Sequence, residues 1–244
     1  MDRWSIPRLD RRSICVKMAF MTRRTDALSR ARIVEATIEL LDTAGESALT
    51  VRALTAHLAT GRGAIYHHVA TKDDLLAAAA DGVIGRVLAE VGGDGDPAPA
   101  IRALALGIFT AMDAHPWIGS QLSRDPGQPA VRQIWTSLGS QLARLGVTGP
   151  ARVDAGSALV NYVLGAAAQH AAGARRAPDA AARQEYLQAL AATWAGEDPD
   201  AAALLRDHDD RAQFLAGVDI FLAGVSALRK PAGVSALRKP AGSG

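Results

Sequence analysis

LTVRALTAHLATGRGAIYHHVATKDDLL, residues 49–76, decides the fold. Thr50 is a helix-capping residue, and Val51, Leu54 and Leu58 behind it share one face of a helix of about two turns. Ala59-Thr60-Gly61 breaks that helix. A third short helix is predicted through Arg62-Gly63-Ala64-Ile65-Tyr66-His67. Thr71-Lys72-Asp73-Asp74 has capping-box spacing, with Asp74 reaching back to the N–H of the cap residue, and opens a longer helix running to about Val91. Two short helices joined by a tight turn form a helix-turn-helix. In that geometry one helix crosses a nucleic-acid backbone, and the next offers its N-terminal residues to a major groove about 12 Å wide.

Upstream, Ile33, Thr37, Leu40, Leu41 and Ala44 make one stripe of a first helix, with Ser29 as its N-cap and Gly45 as its stop. Residues 1–25 show no periodicity and read as a disordered basic leader. Downstream, Gly92-Gly93-Asp94-Gly95-Asp96-Pro97 reads as a linker. Beyond it, helices punctuated by Pro and Gly are predicted at about 98–114, 117–123, 129–145, 151–173, 179–195, 200–207 and 210–228. No period-two alternation is long enough for a strand. About a fifth of the residues are Ala, a strong helix former. The fold class is all-α. The expected division is a leader at 1–25, a helix-turn-helix DNA-binding domain at 26–75, a helical body at 76–228, and a disordered tail at 229–244. Ala223–Pro231 reads AGVSALRKP, and Ala232–Pro240 repeats it. Nine residues are too few for a solenoid unit.

The formal net charge of +2 hides an uneven distribution. Residues 1–32 hold nine Lys/Arg against three Asp/Glu, whereas residues 76–228 hold 11 against 16. A basic end on an acidic body suits contact with a polyanion at that end alone. Cys15 is the single cysteine, which excludes a disulfide framework and a multi-cysteine zinc site. Uncharged runs are too interrupted to span a bilayer, and the opening residues lack a continuous apolar stretch, so a cytoplasmic protein without membrane contact is expected. A P-loop, nucleotide Gly fingerprint, Cys-X-X-Cys and HExxH are all absent, and Ser, His and Asp fall at no recognisable catalytic spacing. No enzyme, catalytic residue or cofactor is expected. His67 and His68, being adjacent on a helix, diverge, so no metal is expected there either.

The third helix has chemistry suited to a groove. Arg62 offers a bidentate fork to guanine or phosphate. Gly63 and Ala64 keep the face thin, and Tyr66 and His67 supply polar tips on flat rings. Lys72 brings a cation to the start of the next helix.

Leu49–Leu54, Leu58–Val69 and Lys72–Leu76 together resemble the DNA-binding domain of the tetracycline-repressor (TetR) family, whose pattern there is roughly L-T-x-R-x-L-A-x-x-L-G-V-S-x-x-A-L-Y-x-H-F-x-x-K-x-x-L. His115-Pro116-Trp117 and Phe214–Asp219 also resemble the subgroup that includes the tetracycline repressors. Three positions depart from the pattern. Ala59 stands for the turn Gly, Thr60 for a buried Val, and Gly61 for the Ser that caps the recognition helix.

The resemblance implies a repressor that binds a palindromic double-stranded operator as a homodimer and is released by a small-molecule effector, with residues 76–228 as the effector-binding and dimerisation domain. An activator, or a ligand-independent DNA binder of the same fold, is the alternative. A cavity under roughly 300 Å³ would favour the ligand-independent form. By the resemblance, Arg52, Arg62, Gly63, Ala64, Tyr66 and His67 meet DNA, and Lys72 meets phosphate. Pocket candidates are Phe109, Met112, His115, Trp117, Trp135, Asn161, Tyr162, His170 and Trp194. The dimer is expected through the helices at about 151–173 and 210–228, where Gly156, Ala158, Gly165, Ala166, Ala167, Ala223 and Gly224 allow close approach. A two-fold dimer would place its recognition helices about 34–36 Å apart. The helix 72–91 would be the lever between effector and DNA.

Overall fold

The computed structural model describes residues 28–91, 95–177, 179–206 and 208–227. The expectations for the leader and for the second copy of the duplication lie outside these residues. Eleven helices occur among the described residues, and no strand. They are α1 (Arg30–Ala48), α2 (Val51–His57), α3 (Arg62–His68), α4 (Lys72–Val91), α5 (Pro97–Ala114), α6 (Trp117–Arg124), α7 (Pro129–Arg144), α8 (Gly149–Arg176), α9 (Ala180–Trp194), α10 (Pro199–Arg206) and α11 (Asp210–Ala227).

Several helices begin where short polar side chains satisfy free backbone N–H groups. Ser29 Oγ accepts from Arg32 N at 3.2 Å, and Thr50 Oγ1 accepts from Ala53 N at 3.0 Å. The box at α4 closes in both directions. Asp74 N donates to Thr71 Oγ1, and Thr71 N donates to Asp74 Oδ2, each at 3.0 Å. Gly45, at φ +75°, interrupts α1 where the stop was expected, and the chain makes one further turn to Ala48.

The end of α2 explains a departure from the family pattern. Thr60 N donates to Thr55 O and Ala59 N to Ala56 O, which is a Schellman motif with residue 59 in the left-handed position. Ala59 sits there at φ +49°, the single non-glycine at positive φ among the described residues. The end of α7 makes the same pair of bonds, Val147 N to Leu142 O and Gly146 N to Ala143 O, with glycine at φ +89°.

Helices α1 to α3 close on Ile33, Leu41, Leu49, Leu54 and Ile65, all buried, and α4 seals them with Leu75 and Leu76. The other end of α4 contributes Val83 and Ile84, and α4 touches α1, α5, α6 and α7. Beyond it, α5, α7 and α8 share Ile101, Leu104, Ile108, Ile134, Leu138, Leu159 and Val163. The last helix, α11, lies on α5 and α8 through Phe214, Val218 and Val225. Helices α9 and α10 pack chiefly on each other.

Small residues serve contacts inside the chain. A Cβ on Gly156 would stand 2.7 Å from the Trp135 ring, and one on Gly107 would stand 2.6 Å from Val87. Gly156 and Ala167 therefore pack within one chain, the latter fully buried, rather than at the expected dimer face. Gly165 and Gly224 have open space beside them.

Candidate nucleic-acid interface and effector cavity

The recognition helix α3 is held by one buried anchor, Ile65, and by Val69 just after it. The remaining face is open. Arg62, Gly63 and His67 are exposed, Tyr66 is 57% exposed, and Ala64 is half-buried. Nothing lies within 4 Å of the place a Gly63 Cβ would occupy, so this glycine leaves room for an outside partner and relieves no internal clash. Gly61 caps α3 without a side-chain bond, leaving its first N–H groups free of a capping oxygen. Arg52, at the start of α2, is exposed too. Neither Arg52 nor Arg62 has a side-chain partner among the described residues. Lys72 is exposed, but its Nζ donates to Glu46 O at 2.7 Å. This bond ties the start of α4 to the end of α1. His67 and His68 meet edge to face at 5.3 Å, one exposed and one half-buried.

The second feature is a cavity of about 590 Å³ bordered by α5, α8, α9, α10 and α11. Of the nine pocket candidates, the structure brings together Phe109, Tyr162 and His170 there. Phe109 stacks on His170 and on Phe214, both at 4.5 Å, and Tyr162 stacks on Phe214 at 5.7 Å. The Tyr162 hydroxyl donates to Phe214 O at 2.9 Å and rests against Gly217, where any Cβ would collide with the phenol oxygen. Burial pushes the Tyr162 pKa up, so the group stays a neutral donor at ordinary pH.

The other six candidates lie elsewhere, for definite reasons. Met112 is buried in the core beneath Gly119. His115 and Trp117 turn toward α1 and bond Asp42. Trp135 lies over Gly156. Asn161 is exposed on the outer face of α8, and Trp194 is 47% exposed at the end of α9.

The cavity also contains residues that pattern alone passes over. Asp210 binds Arg183, and it takes His208 Nε2 at 3.1 Å and His170 Nδ1 at 3.3 Å, the last outside hydrogen-bond geometry. His170 Nε2 lies 3.1 Å from Asp113 Oδ1. Gln169 and Gln213 complete a polar rim, with Leu187, Leu190 and Leu205 opposite. In sequence these charges look like solvated faces. The cluster His208-Asp209-Asp210-Arg211 at the start of the last helix was the available signal.

Residues 33–79 match the bacterial regulatory proteins of the tetR family. An HTH-type transcriptional regulator of Saccharopolyspora erythraea is 30% identical over 212 residues, covering 84% of this chain and 88% of that protein. Among solved structures, the Streptomyces coelicolor transcriptional regulator SCO7222, a TetR, is 44% identical with a TM-score of 0.75, over 83% of this chain and all of that one. ActR, a TetR family protein of Streptomyces coelicolor in complex with (S)-DNPA, is 26% identical with a TM-score of 0.61, over 82% and 98%. The chain belongs to the TetR family of bacterial transcriptional regulators, with an N-terminal helix-turn-helix domain and a helical C-terminal domain. Among the described residues, no helix is long and apolar enough to cross a membrane.

Proposed function

We propose that this regulator is a cytoplasmic dimeric repressor that reads a palindromic operator and is released by a small molecule held in the 590 Å³ cavity. The DNA-binding domain is 26–75, and the effector and dimerisation domain is 76–228. The observation that carries the reading is the open face of α3, where Arg62, Tyr66 and His67 project from a helix fixed behind by Ile65. Arg62 supplies the base-edge fork, Gly63 and Ala64 permit close approach, Tyr66 and His67 flank it, and Arg52 and Lys72 address phosphates. The cavity volume falls within the range of small-molecule sites, which favours an effector over ligand-independent binding. DrrR1 of Streptomyces coeruleorubidus, 30% identical over 57% of this chain and 53% of that protein, is named a repressor, and ActR is described with (S)-DNPA bound.

The proposed dimer face joins the outer sides of α8 and α11. Asn161, Gly165, Ala223 and Gly224 are exposed there, and Ile220 is 75% exposed. A large aliphatic residue that open to water, flanked by small ones, suits a second copy.

Selection from random duplexes tests the reading. A two-fold symmetric sequence should be enriched, bound by a species of twice the chain mass, with affinity falling steeply as salt rises. A monomer that enriches no duplex in dilute buffer would overturn it.

A further inference from the structure

The end of α5 faces two ways. On one side Phe109 stacks on His170 and Asp113 pairs with its Nε2, so this part of α5 walls the cavity. Two residues on, His115 Nδ1 lies 2.9 Å from both carboxylate oxygens of Asp42, and Trp117 Nε1 donates to Asp42 Oδ1 at 2.7 Å. Asp42 belongs to α1, in the helix-turn-helix domain. The His115 and Asp42 side chains are only 23% and 29% exposed. A second tie follows, because Arg124, at the end of α6, grips both Glu46 oxygens at 2.7 Å. The Glu46 carbonyl in turn receives Lys72 Nζ, four residues after the recognition helix ends.

We infer that Asp42 is a positioning residue, through which the α5–α6 corner passes the state of the cavity to the recognition helix. The inference rests on the effector-gated DNA binding proposed above. Asp113, His115 and Trp117 lie within about one helical turn of chain, so a shift at His170 moves the grip on Asp42 with it. Short bonds to a carboxylate depend steeply on distance and angle, and a half-buried one tolerates little sliding before it lets go. Helices α4 and α1 pack through apolar side chains, Gly82 lying against Val34, and their polar tie, Arg86 to Glu35, is one 2.7 Å contact between side chains 47% and 56% exposed. Water replaces such a bridge at little cost.

A double-mutant cycle on the full chain tests this without any effector, using a duplex enriched by the wild-type protein from random DNA. His170→Phe keeps a ring against Phe109 and removes the Asp113 pair. It should weaken duplex binding about fivefold or more in the wild-type background and less than about twofold in Asp42→Asn. In Glu35→Gln it should keep its full effect. Amide hydrogen exchange gives a second readout, since His170→Phe should alter protection across residues 40–48 only while Asp42 is present. An equal His170→Phe factor in the wild-type and Asp42→Asn backgrounds overturns the inference, as does a His170→Phe protein unchanged in both binding and exchange. If Asp42→Asn melts earlier than the wild type, Trp117→Phe, which deletes one donor, takes its place under the same criteria. A wild-type protein that enriches no duplex defeats the proposed function, and the exchange measurement then decides the coupling by itself.

Discussion

Arg62, at the start of the recognition helix, is exposed and has no side-chain partner among the described residues, whereas Arg183, on the cavity wall, is bound to Asp210 beside two histidines. The two residues carry the same group in opposite surroundings. A solvated guanidinium can meet a phosphate or a guanine without first giving up a partner. A guanidinium already paired must exchange one carboxylate for another group, and meanwhile Arg183 holds α9 to α11. Partnering separates the two arginines where their charge is the same.

The largest expected effect separates the two regions by stability. Leu54 is fully buried in the small α1–α3 core, so Leu54→Ala should cost about 2–5 kcal/mol there. Chemical denaturation followed by hydrogen exchange should show residues 30–70 opening first, with the α5, α7 and α8 core intact. Simultaneous opening of both would mean the regions form one cooperative unit.

Next comes the exposed arginine. Arg62→Ala should weaken binding to the selected duplex by about 1–3 kcal/mol and relax base preference at one position per half-site, with unchanged melting temperature. Arg183→Ala should do the reverse for stability, lowering the melting temperature because Asp210 loses its guanidinium. Intact duplex binding by Arg62→Ala would show that α3 enters no groove.

The two matching helix ends supply a smaller effect. Ala59→Gly should stabilise the protein by up to about 1 kcal/mol, because alanine is strained at φ +49°. Gly146→Ala at the end of α7 should destabilise it by a similar amount. Thermal melts of both variants test the pair, and equal signs would contradict the assigned geometry.

The smallest effect concerns pH. Arg102 of α5 holds Asp219 of α11 through two bonds of 2.7 and 3.0 Å, and these hydrogen bonds keep the Asp219 carboxyl below its ordinary value. A depressed folded-state pKa stabilises above the unfolded value, near 3.8, and is lost as pH falls through the folded value. Asp219→Asn should therefore lower the melting temperature slightly at neutral pH and leave it unchanged in strong acid. Both side chains are about half exposed, so high salt should shrink the difference.

Much of the helix-turn-helix was legible because its signals are local. Ser29, Thr50 and the Thr71–Asp74 box each act within three residues, and the structure shows the expected bonds. Helix ends in the body also followed Pro and Gly closely, as at Pro97, Pro129 and Gly146. The cavity was less legible because helix rotation is set by distant partners. Phe109 and Met112 lie three residues apart on α5, yet one lines the cavity and the other fills the core. Small residues misled in the same way. Gly156 reads as a place for a second chain until Trp135, 21 residues earlier, is seen above it. Lys72 was read as reaching only for phosphate, and nothing in the sequence announces its bond to the Glu46 carbonyl.

The phenol of Tyr162 keeps its seat because residue 217 has no side chain. Alanine at that position would evict the ring, and the cavity is the space beside it. A single glycine on α11, itself part of the wall, thus sets the volume of the cavity through the ring it admits. Substituting that glycine would change the space by moving a neighbour's ring, with Phe109 and His170 left as they are.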